Sequence, residues 1–400
     1  MNAAVAPLPR GARVASIDVM RGLVMMIMML DHVRETFFLR WQVGDPMDVV
    51  QTEPGLFFSR FAAHFCAPMF VFLTGLSAWL YAHPAGGPRS ATGFLLKRGL
   101  FLVVLEILVV NMAWTGAFPP PALASLVLGD AAPPAILYLQ VIWVIGLAMM
   151  ALALLHRLPR TVLAVIGLVI VFGHNLLTPI AFAPGEWGHT AWTILHDRGF
   201  LDTEGPLRIK ISYPLLPWIG VIALGYVAGP WYARAVESAQ RRRLLLAAGA
   251  VALLLLLLLR GFNIYGETLD WTVGETTLRS IMSFVNVTKY PPSLAFLLLT
   301  LGGGLLVLGW LEQRNNGFLR ICATLGSAPM FYYLLHLFVL LGLQKLAVQL
   351  WGPNFGQRYE FDSLAMVWLL SAALIPLLYW PCKAFGDFKR RTSMGWVRYL

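Results

Sequence analysis

Apolar residues in this chain run in blocks of about twenty, each closed by a short polar stretch, and they do not alternate as a half-buried strand would. About 20 mostly apolar residues, rising about 1.5 Å each, cross the hydrocarbon core of a bilayer. The blocks therefore predict ten spanning helices, at about 17–38, 57–82, 94–114, 136–155, 160–178, 211–233, 243–260, 290–311, 322–348 and 363–385. The expected fold class is all-α, a polytopic membrane bundle of about ten transmembrane helices. With neither an internal repeat nor a disordered linker to divide it, residues 1–400 read as a single domain. The blocks at 160–178 and 243–260 are apolar all round and should face lipid. Most others carry polar groups and should line an interior.

The block from Ser16 to Phe38 is the exception to simple apolarity, because it holds Asp18, Arg21, Asp31, His32, Arg34 and Glu35. Ionisable groups inside a membrane cost a few kcal/mol each at the bilayer centre and mark functional sites by default. Arg21 and His32 are separated by ten residues, about three turns, so they share a face to within roughly 20° and Asp18 lies with them. Met25, Met28 and Met29 fill the gap. The face reads as a guanidinium, a polarizable apolar strip and an imidazole about 16 Å further on. An enclosed tunnel for a long, thin ligand is expected along it. Asp31 points about 100° away from His32 and must act from the side or pair with another helix. The competing reading puts these charges in the two headgroup regions, where they snorkel.

Other blocks add polar groups. Arg60 and His64 share a face four residues apart, at the depth expected for His32, and Pro68 should kink that helix. Lys97 and Arg98 open the third block; Glu106 near its middle either pairs with Arg21 or orients a histidine. Lys289 to Ser293 precede the eighth block, and Tyr332 and His336 share a face in the ninth. In the loop from Pro179 to Lys210, Trp187, His189, Trp192, His196 and Arg198 suit either a sugar acceptor or anchoring at the interface.

Composition narrows the class. With 58% hydrophobic and 12% charged residues, a soluble domain is excluded. The net charge of +10 would suggest nucleic acid in a soluble chain. Here the basic residues collect in alternate loops and the acids in the others, which is the positive-inside pattern and requires no nucleic-acid partner. Both termini are expected in the cytoplasm, with Arg10, Arg13, Arg241 to Arg243 and Arg398 on that side and Asp45, Asp202 and Glu204 opposite, in a bacterial cytoplasmic membrane. The first block serves as an uncleaved insertion signal. Cys66, Cys322 and Cys382 are too scattered for a disulfide framework or zinc, so no metal site is expected.

A cationic ring of Arg21, Lys97 and Arg98, with Asp18, suits phosphate, while an outer imidazole suits taking a proton from a hydroxyl or amine. Coenzyme A thioesters have that shape, with a phosphorylated nucleotide at one end and an acyl group at the other. His32, and with it His64, would act as general base, Asp31 would stabilise the imidazolium, and Arg34, Arg60, Lys289 and His336 would hold the acceptor. Proton-coupled transport of a small polar solute is the alternative, since buried Asp, Glu and His also form proton relays.

The segment from Ile17 and Asp18 to Arg21 and Gly22, with His32 following after ten residues, resembles the Arg-x10-His signature of the membrane acyltransferase-3 family. The stretches SIDVMRG, LDHVRETFF, HFCAPMFVFLTG, YPLLPWIGVIALGYVAG, KYPPS and APMFYYLLH resemble bacterial relatives of heparan-alpha-glucosaminide N-acetyltransferase. The resemblance implies a multi-pass enzyme moving an acyl group, usually acetyl, from cytosolic acyl-CoA to a sugar on the far side. It places His32 and Arg21 at the acyltransferase-3 histidine and arginine. The lysosomal enzyme differs: an asparagine aligns with His32, an aspartate with His64, and its catalytic histidine follows in an outer loop. This chain has no histidine between Val33 and Ala63, so the identity of the base stays open. The implied partners are acetyl-CoA or another acyl-CoA as co-substrate with no permanent cofactor, an extracytoplasmic glycan or glycolipid, membrane lipids, and optionally a second copy in a homodimer.

Overall fold

The computed structural model describes residues 15–39, 47–201, 205–395 and 397. Arg10, Arg13, Asp45, Asp202, Glu204 and Arg398 lie outside the described residues. The elements follow in order as α1 (Ala15–Phe37), α2 (Pro54–Ala62), α3 (Cys66–Ala82), α4 (Thr92–Leu105), α5 (Asn111–Thr115), α6 (Pro121–Leu128) and β1 (Ala135–Leu139). Next come α7 (Val141–Leu155), α8 (Arg160–Gly173), α9 (His189–Leu195), β2 (Gly199–Phe200), β3 (Leu207–Ile211) and α10 (Leu216–Ala228). The chain continues with α11 (Ser238–Gly261), α12 (Thr277–Val285), α13 (Leu294–Leu311), α14 (Gly317–Gly326), α15 (Pro329–Trp351) and α16 (Leu364–Arg391).

The fold is all-α and polytopic, with helix at each of the ten expected positions. Among the described residues, six helices are long and apolar enough to span a bilayer: 54–82, 160–177, 238–261, 294–311, 329–351 and 364–391. At 23 residues α1 is long enough, but it carries several charges. The block expected at 136–155 begins instead as strand β1, because Pro133 and Pro134 bar the preceding backbone from helix and β3 offers a parallel partner. With β2 antiparallel on the other side of β3, this makes a three-stranded sheet. The block expected at 322–348 is two helices, α14 and α15, separated at Ser327 and Ala328.

Small residues set the helix spacing. A Cβ on Gly22 of α1 would lie 1.9 Å from the Cys322 carbonyl oxygen of α14, and one on Gly326 would lie 1.9 Å from that of Asp18. These two backbones touch, as packing between apolar helices in lipid requires. Helices α8 and α11 are peripheral, with 22% of their spanning windows buried, against 72% for α13. The lipid-facing reading of α8 and α11 therefore agrees with their placement.

Candidate active site

Pro68 lacks the N–H that would continue the helical ladder, and a 3-10 turn at Ala63–Phe65 separates α2 from α3 just before it. That turn carries His64, while Arg60 on α2 reaches α1. Arg60 pairs with Asp31 and stands 3.6 Å from Glu35, and Arg34 bonds Asp31 at 2.9 Å and Glu35 at 3.3 Å. Four charges from two helices thus neutralise one another inside the bundle. Arg34, expected among the acceptor-binding residues, is only 2% exposed and is held against Asp31.

His32 is held from a different direction. Its Nδ1 lies 2.6 Å from Nε2 of His336 on α15, and His336 Nδ1 lies 2.9 Å from the Tyr332 carbonyl oxygen. A carbonyl can only accept, so His336 Nδ1 carries the hydrogen and donates it. In the neutral ring His336 Nε2 is then an acceptor, and His32 Nδ1 donates to it. His32 Nε2 is left with the lone pair, the form a general base needs. The two imidazoles are nearly parallel at 9°, and the Trp114 ring meets His32 edge-on at 5.0 Å. Both Tyr332 and Tyr333 lie against His336.

The remaining expected residues are placed unevenly. His64 is 2% exposed with its ring against Phe61 and Phe296, and its Nδ1 has no hydrogen-bond partner. Neither a ring contact nor a hydrogen bond joins it to His32 among the described residues. Lys289 sits in a tight turn that pairs it with Pro292, and its positive field reaches Asp31, His32, Glu35 and His64. Glu267 fastens this turn, accepting from the Thr288 N–H at 2.9 Å and the Ser293 hydroxyl at 2.6 Å. Tyr290 in the same turn donates to the Tyr213 hydroxyl at 3.2 Å.

At the other end of α1, Arg21 bonds Asp18 at 3.1 Å and the Ser77 hydroxyl at 2.6 Å. Lys97 is exposed on α4, which packs chiefly on α7, and Arg98 lies over the Phe94 ring. The tunnel expected between Arg21 and His32 is filled. Met25 and Met29 are fully buried and Met28 is 6% exposed. The α1 face that borders open space is the opposite one, a groove of about 350 Å³ lined by Leu23, Met26, Ile27 and Leu30 against Trp368 and Ser371 of α16.

Three other readings change. Glu106 neither pairs with Arg21 nor orients a histidine in any described contact. Its Oε2 accepts from the Ile142 and Trp143 N–H groups at 3.1 Å each, capping the start of α7, and it stands at the head of a π-helical turn. His189 bridges the Phe182 and Phe200 carbonyls, and fully buried His196 bonds the His174 carbonyl and Asp197, so both brace the loop. Trp187 is exposed. The cysteines are free and buried, and no metal-binding group of three or more His, Cys, Asp or Glu occurs among the described residues. Glu35, Ser77, Trp114 and the Tyr332 carbonyl are the site groups that sequence reasoning left without a role.

A family model described as an acyltransferase domain, that of acyltransferase-3, matches residues 14–382. The chain belongs to the acyltransferase-3 family. No curated protein matches it. This acyltransferase is a multi-pass membrane protein, and the matched region spans α1 through most of α16, including every residue of the His32 relay.

Proposed function

We propose that this membrane acyltransferase moves an acyl group, acetyl in the simplest case, from cytosolic acyl-CoA to a hydroxyl or amine of an extracytoplasmic sugar or glycolipid. The reading extends the resemblance to heparan-alpha-glucosaminide N-acetyltransferase and places both termini in the cytoplasm, at the basic end of the bundle. The observation that carries it is the relay from His32 through His336 to the Tyr332 carbonyl, which leaves His32 Nε2 as a base. His32 Nε2 takes the proton of the acceptor O–H or N–H as that atom attacks the thioester carbonyl. The C–S bond breaks, and the proton returns from the imidazolium to the departing sulfur, giving coenzyme A as a free thiol.

Arg21 and Asp18 hold the donor from the cytoplasmic end, with Lys97 and Arg98 as outlying cations. Asp31 and Arg34 brace the site, Arg60 and Lys289 face the acceptor, and His336 orients His32. Because the methionine strip is filled, the pantetheine arm enters by displacing Met28 and its neighbours, whose unbranched side chains have the freedom to move. The test is acyl transfer by purified protein with radiolabelled acetyl-CoA. His32→Ala should lower turnover by about 10²–10⁴-fold while eluting as wild type in detergent. Wild-type turnover in that variant would remove His32 from the chemistry.

A further inference from the structure

The outer cap next to the His32 site is crowded with cations. Arg198 lies 4.7 Å from the centre of the Tyr290 ring and Lys289 lies 5.2 Å from the same centre. On β3, Arg208 and Lys210 lie 4.2 Å and 5.1 Å from the centre of the Phe200 ring. No carboxylate is within ion-pair distance of any of the four among the described residues. Partial burial, together with the neighbouring Arg198 guanidinium, pushes the Lys210 ammonium below the ordinary lysine range. Cations so close together repel one another, and the positive-inside trend works against them on this side. The Coulomb cost falls once an anion arrives.

The patch is continuous with the site. Tyr290, under Arg198, donates to Tyr213, and the Arg60 guanidinium that pairs with Asp31 lies in the field of both tyrosines. Among the described residues Asp31 and Glu35 face Arg34, Arg60 and Lys289 within the site.

We propose that the acceptor carries a negative charge, a carboxylate or phosphate beside the acylated position, which Arg198, Lys210 and Lys289 receive at the rim. This rests on the acyl-transfer reading and narrows its acceptor to an anionic sugar. The rim cations fix which sugar presents its hydroxyl or amine to His32 Nε2.

The experiment uses the full chain in phosphatidylcholine nanodiscs with radiolabelled acetyl-CoA, offering glucosamine 6-phosphate against glucosamine and methyl glucuronide against methyl glucoside. The expected result is a kcat/KM at least about tenfold higher for the charged member of a pair. That ratio should collapse towards one in the R198Q/K289Q double variant and persist in R198K. Thermal unfolding with and without glucosamine 6-phosphate reads the same site without turnover: a stabilisation in wild type that is absent from the double variant keeps the rim proposal standing even where no acyl transfer occurs, which would count against the transfer reading alone. Equal use and equal binding of charged and neutral sugars would overturn the proposal. So would loss of the charge preference when phosphatidylglycerol replaces part of the phosphatidylcholine, since the rim would then be a lipid headgroup site.

Discussion

The two ends of α1 carry similar residue types and are built in opposite ways. At the N-terminal end, Asp18 and Arg21 satisfy each other and Ser77, and the Ser16 hydroxyl bonds Glu312, which also takes Arg241 at 2.5 Å. Those groups are matched within a short radius. At the C-terminal end, Asp31 is shared between Arg34 and Arg60, His32 leans on His336, and among the described residues the cations Lys289 and Arg198 add to the acids' partners. The difference teaches that charge in a membrane helix is not itself the mark of chemistry. An unbalanced cluster beside an oriented imidazole is.

Breaking the ion-pair cluster at the C-terminal end of α1 should have the largest effect on stability. Asp31→Leu takes from Arg34 and Arg60 the nearer of the two carboxylates they share, leaving Glu35, and a cost of about 3–5 kcal/mol is expected, read as a large fall in Tm in detergent. A Tm within a degree of wild type would mean that the cluster is solvated. Next comes His336→Ala, which removes the group that fixes the His32 tautomer while leaving His32 in place. Turnover should fall about 10²-fold with the acceptor KM near wild type. A rise in KM at unchanged kcat would instead make His336 an acceptor contact. The N-terminal end should respond least: Ser77→Ala removes one hydrogen bond from a partly exposed Arg21, costing about 1 kcal/mol and leaving the kcat for acyl transfer unchanged. A loss comparable to that of Asp31→Leu would erase the contrast between the ends.

The helical arithmetic on α1 was legible because period and composition are properties of the sequence itself. It placed Arg21, the methionines and His32 in a row, and the row exists. What fills the space in front of the row was not legible, since that depends on which helices pack there; Met25 and Met29 are core, and the tunnel is closed. A four-residue spacing puts Arg60 and His64 on one face, yet the 3-10 turn that carries His64 sends it into an aromatic pocket while Arg60 pairs with Asp31. Glu106 was visible as a charge that must be satisfied, but its partners are two backbone N–H groups of α7, which no side-chain pattern announces. Pairing His32 with His336 required knowing that α15 lies against α1.

The third member of the relay is main chain. Exchanging the Tyr332 side chain removes a phenol that stacks on His336 and leaves the oxygen that accepts the His336 hydrogen bond where it was. A scan of side chains through α15 would therefore score position 332 by its ring and pass over its anchoring atom. An amide-to-ester exchange at the 332–333 linkage, which weakens that carbonyl as an acceptor, is the change that addresses it.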